Sequence, residues 1–112
     1  MQGNIALLTK SYTAGGSVTQ YQPMTAAGGN ATAASNAVGF ATIGGSTGDL
    51  IPVVVAGTAL AVAGGTVAVG DPLKVHTTVT QVVAQGGTGT IIGRAMSAGA
   101  SGDVIEVLIV GN

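Results

Sequence analysis

Apolar positions along this chain come in short runs separated by glycine, with no long stretch of helical periodicity. The segments 5–10, 17–22, 37–43, 50–56, 59–63, 66–69, 72–78, 80–84, 90–97 and 104–110 are rich in Val, Ile, Thr and Leu and recur about every ten residues. Gly-Gly pairs fall at 15–16, 28–29, 44–45, 64–65 and 86–87, mostly between these runs. β-branched runs of this length, punctuated by residues that turn the chain, predict strands joined by tight turns. The expected fold is all-β, a small barrel or sandwich of short strands. Residues 25–36, TAAGGNATAASN, hold no strand former and predict a long surface loop. Residues 50–70 run twenty-one positions without a charge. They also contain Pro52, four glycines and six valines, which favours strands and turns over a membrane helix. The first ten residues, MQGNIALLTK, lack the basic start and apolar run of a signal peptide.

The pattern also repeats. Residues 38–57, VGFATIGGSTGDLIPVVVAG, align without a gap on residues 92–111, IGRAMSAGASGDVIEVLIVG, at an offset of 54. Eight of the twenty positions are identical, including Gly39/Gly93, Ala41/Ala95, Asp49/Asp103 and Val53/Val107. Each copy reads as a short strand, a loop of small residues, a Gly-Asp turn and a second apolar strand. One domain spanning 1–112, internally duplicated, is the expected organisation. The two copies should therefore fold alike, as halves related by a pseudo-two-fold.

Composition narrows what such a scaffold can do. Only 6% of residues are charged, and the three basic ones cannot form a phosphate-binding stripe, which argues against a nucleic-acid partner. There is no cysteine, so disulfides and thiolate metal sites are excluded. Globular chains carry about a quarter charged residues. A surface of Thr, Ser, Gln, Asn, Gly and Ala loses little on desolvation and suits packing against neighbours. Twenty glycines raise the entropic cost of ordering, and only three aromatics help fill the core. Oligomerisation is the expected source of further buried surface.

Few residues are left for chemistry. Gly48-Asp49, Gly70-Asp71 and Gly102-Asp103 each precede a strand run. The shared context makes them turn formers, the glycine taking the awkward dihedral and the carboxylate bonding nearby amides. A cation site built by the three carboxylates is the alternative. His76 is the only histidine and cannot build a typical zinc site; it reads as a strand residue facing solvent or an interface. GGTGTIIG at 86–93 lacks the spacing of a dinucleotide loop. Asp103 and Glu106 would fall on opposite faces of a strand and form no acid–base pair. The sequence offers no catalytic set, cofactor site or metal site, so no enzyme is expected. Ile5, Ala6, Leu7 and Leu8 form an apolar stretch outside the duplicated unit. They are a candidate partner-binding arm that could add a strand to a neighbour's sheet, or else the first strand of the domain itself.

VAVGDPLKV at 67–75, followed by IIGRAMSAGASGDVIEVLIV at 91–110, resembles the capsid decoration (cement) proteins of tailed phages. The resemblance rests on a Gly-Asp-Pro strand entry, then Gly-x-Ala, a run of small residues and a Gly-Asp strand ending the chain. It covers roughly residues 37–110. It implies a mostly β protein on the outer surface of an icosahedral virion, bound to the major capsid protein and often to itself as a homotrimer. No membrane partner and no cofactor are expected. An extracellular adhesin or fibre module binding host surface glycans shares the composition and is the alternative. A small enzyme or ligand-binding barrel would need a polar pocket, for which almost no ionisable residues are present.

Overall fold

The computed structural model describes residues 6–25, 37–78 and 80–109. Their regular structure is entirely β: β1 (Ala6–Thr13), β2 (Pro23–Met24), β3 (Gly39–Ala41), β4 (Leu50–Val62), β5 (Pro72–Val75), β6 (Val82–Ala84), β7 (Gly93–Ala95) and β8 (Val104–Ile109). The strands form one sheet in the order β2-β3-β4-β8-β7-β5-β6, with β1 also paired to β4. Every strand pairing is antiparallel. The sheet curls until Ala63, just past β4, bridges Val82 of β6. There the Gly64 N–H donates to the Val82 carbonyl at 2.7 Å. The result is a nearly closed barrel.

β4 is the spine. The sequence divides it into two strands at Gly57, but the structure keeps it continuous over 13 residues. Its first part pairs with β1 and β3, while Thr58 to Val62 pair with β8. Gly57, at φ 92°, sits where the partner changes. A residue without Cβ takes that dihedral cheaply, so the strand bends instead of ending. The segments 17–22 and 66–69 are also not full strands. Each contributes one bridge, Val18 to Gly45 and Val67 to Gly99. Residues 26–36 of the expected loop lie outside the described residues.

The duplication holds at the level of register. Phe40 opposes Val54 and Ala41 opposes Val53; 54 residues on, Arg94 opposes Leu108 and Ala95 opposes Val107. It also reaches further back than residue 38. Pro23 opposes Phe40 as Pro72 opposes Arg94, and Tyr12 opposes Ile51 as Ala61 opposes Ile105. AGGSVTQYQPM at 14–24 thus corresponds to AGGTVAVGDPL at 63–73, at an offset of 49. The Ala14 N–H donates to the Asp49 carbonyl and the Gly48 N–H to the Ala14 carbonyl, each at 2.8 Å. The same pair recurs as Ala63 N–H to Asp103 at 2.8 Å and Gly102 N–H to Ala63 at 2.7 Å.

The corresponding positions bury matching side chains. Ala14, Val18, Met24, Ala41, Ile51 and Val53 form one hydrophobic cluster inside the first half. Their counterparts Ala63, Val67, Leu73, Ala95, Ile105 and Val107 sit in a larger cluster inside the second. That larger cluster also contains Phe40 and Val54 of the first half. Side chains alternate across a strand, so Phe40 and Val54 point away from their own half's core and into the other's. Phe40 is the largest fully buried side chain and joins the halves.

Candidate binding surface

The three Gly-Asp pairs occupy equivalent turns. The Ser46, Ala68 and Ala100 N–H groups donate to Oδ2 of Asp49, Asp71 and Asp103 at 2.8, 2.9 and 2.9 Å. Gly48, Gly70 and Gly102 lie at φ 92°, 89° and 90°, a dihedral that a side chain makes costly. A fourth turn has the same construction and was not legible in the sequence. The Thr19 N–H donates to Oε1 of Gln22 at 2.7 Å, and Tyr21 takes the positive dihedral at φ 70°. Tyr-Gln stands there in place of Gly-Asp, so a search for the dipeptide misses it. Each carboxylate is engaged by an amide of its own turn. No group of three or more His, Cys, Asp or Glu side chains among the described residues could hold a metal ion.

Asp49→Ala and Asp103→Ala are each expected to lower stability by about 0.5–1.5 kcal/mol, the usual worth of one hydrogen bond. Millimolar calcium is expected to leave the melting temperature of the parent unchanged. A calcium-dependent rise that Asp103→Ala abolishes would assign the turns to a cation instead.

Other sequence-derived positions are spread over the surface. Ala6 opposes Gly57 and Leu8 opposes Ala56 across β1 and β4, with a bulge between them. Leu7 lies in β1, and Ile5 lies outside the described residues. Leu8 is exposed. His76 lies just past β5, not in a strand, and its Nδ1 accepts the Thr78 N–H at 2.9 Å, which braces a turn. Asp103 belongs to a turn and Glu106 to β8. Lys10 Nζ sits 5.7 Å from the centroid of the Tyr12 ring.

The exposed surface is mostly Gly, Thr and Ser, with a few large apolar side chains among them. Leu8, Ile43, Leu50, Val69, Met96 and Leu108 are large hydrophobic side chains left exposed. A cleft of about 190 Å³ lies at the seam of the two halves, lined by Tyr21, Phe40, Thr42, Val54, Ala59 and Leu60. It holds a phenol and a hydroxyl but no ionisable carboxylate, imidazole or amine.

No protein-family model matches the chain, and no curated protein matches its sequence. Among solved structures, the fold is similar to the N base of the head fiber protein gp8.5 of bacteriophage phi29. The TM-score is 0.75 at 19% sequence identity, covering 92% of this chain and 93% of that one. The likeness is one of fold, and it spans nearly the whole of both chains.

Proposed function

We propose that this chain is a non-enzymatic structural protein of a phage virion, bound to the outer surface of the icosahedral capsid. There it cements neighbouring major capsid proteins as a homotrimer. The observation that carries this reading is the shared fold with a phage head fiber base along 92% of the chain. The weakly charged surface and the exposed hydrophobic side chains support it, because a clamp needs wide shape contact and no reacting groups. A protein that binds the assembled shell but not its free subunits stabilises the shell by mass action. β1 has a partner on one edge only among the described residues, which leaves its other edge for a neighbour's strand. With exposed Leu8 it is the proposed contact of the N-terminal arm.

The fibre reading has its own support, since the similar structure is the base of a head fiber. A fibre module binding host glycans would engage sugars and need not stabilise shells. The test is to mix purified protein with capsids that lack it. Co-sedimentation at a fixed ratio to the major capsid protein, with density outside the shell at three-fold positions, is the expected result. Leu8→Asp, which keeps β1 paired to β4, is expected to stay folded and lose occupancy. Binding to host-surface glycans without binding to shells would favour the fibre module.

A further inference from the structure

The duplication produces one row of side chains twice. In the first half, Thr9, Val54, Phe40 and Pro23 lie side by side across β1, β4, β3 and β2. In the second half, Thr58, Leu108, Arg94 and Pro72 do so across β4, β8, β7 and β5. The two rows are equivalent, and their surroundings are not. The middle of the first is covered by the chain itself: Phe40 and Val54 are each 1% exposed, within the hydrophobic cluster of the second half, while Thr9 at its edge is exposed. The middle of the second is open, with Thr58 and Pro72 beside it part-buried. Leu108 is 40% exposed, Arg94 is exposed, and Met96 beyond it is 48% exposed.

We propose that this open face of the second half is an interface between copies of this chain, covered by a second copy as the first row is covered within one copy. Three observations identify the occupant. The equivalent face is already closed by a domain half of this same construction. The internal contact is also head-to-tail, the back of one half against the body of the other. Repeated between copies, that relation is heterologous and closes a ring when its rotation permits. Finally, the face carries both Arg94 and Glu106 beside Leu108, Met96 and Leu60, with neither charge in an ion pair among the described residues. Opposite charges beside apolar side chains suit a partner of the same mixed composition better than a uniformly charged one. The proposal deepens the self-association in the function proposed above and does not require the capsid.

The chain has no cysteine, so single introduced thiols report burial directly. Leu108→Cys and, as a control on the first half, Leu50→Cys replace exposed residues and are expected to fold normally. In the free protein at micromolar concentration, Leu108→Cys should react with a maleimide roughly tenfold more slowly than Leu50→Cys, a ratio equal to about 1.4 kcal/mol of protection. Sedimentation velocity should show an oligomer for the parent and a monomer for Leu108→Asp, with unchanged circular dichroism for both. A monomeric parent with equal labelling rates would overturn the proposal. Protection that appears only when empty shells are added would also overturn it, since the capsid would then be the occupant. Failure of the parent to bind shells, with the labelling ratio intact, would count against the capsid reading alone.

Discussion

Gly39→Ala is expected to cost about 3 kcal/mol or more and to lower the melting temperature by roughly 12–24 °C. The cause is steric and local. A Cβ at position 39 would meet the Val54 carbonyl oxygen head on and approach Val53 Cγ1 to 2.9 Å. The obstacle is backbone in the central strand, which cannot swing aside as a side-chain tip can. Gly93 shows the same crowding in the second half, with Val107 Cγ1 at 2.5 Å and the Leu108 carbonyl oxygen at 2.8 Å from the added atom. The identity of these two glycines across the duplication thus follows from how closely β3 crosses β4 and β7 crosses β8. Gly102→Ala is the comparison that isolates the mechanism. Nothing lies within 4 Å of its Cβ, so only the left-handed dihedral at φ 90° opposes the side chain, at a cost of roughly 1–2 kcal/mol. Urea unfolding of the three variants should rank Gly102→Ala well above the other two. Equal losses would mean that backbone conformation, not contact, governs all three.

The strength of these glycine contacts explains what the sequence could and could not convey. The 54-residue repeat was readable because its strands and turns need Gly39, Ala41, Gly45, Gly48, Asp49 and their counterparts for space and dihedral. The all-β architecture followed from Val and Ile runs broken by glycine. The extension of the repeat to 14–24 and 63–73 was not readable at a single offset. Five residues separate the two offsets, because the stretch between β5 and β7, which includes β6, is longer than the one between β2 and β3. Gly57 looked like a turn because sequence alone does not distinguish a glycine that bends a strand from one that ends it. Pairing decides that, and the partners of β4 lie far away along the chain. The Tyr21-Gln22 turn escaped because its residues mimic Gly-Asp in geometry only. The open sheet face escaped for a deeper reason. Phe40 and Arg94 occupy the same register position, and which of them is covered depends on how the halves stack.

That stacking yields the last prediction. Phe40→Arg, which installs in the first half the residue that the second half carries, is expected to leave the protein unfolded or molten at 25 °C. Removing a buried Phe side chain alone costs about 3–5 kcal/mol, and an unpaired guanidinium in the same cluster adds a desolvation penalty of several more. Small domains have about 5–15 kcal/mol in total. The reciprocal change, Arg94→Phe, places an aromatic on the open face and removes one exposed hydrogen bond, from the Arg94 guanidinium to the Gly70 carbonyl at 3.2 Å. In the monomeric Leu108→Asp background it is expected to alter unfolding by no more than about 1 kcal/mol. Circular dichroism and urea titration of both variants check the asymmetry. A cooperative Phe40→Arg variant with near-parent stability would show that the halves do not depend on this side chain to hold together. The asymmetry itself carries a functional meaning. A duplicated unit that buries one copy of a face and leaves the other open keeps one mixed apolar and charged surface for the exterior. In the first half, position 40 is an aromatic suited to a permanent core. In the second, position 94 is an arginine, which keeps the face soluble when it is free and gives it a charge to match when it is covered.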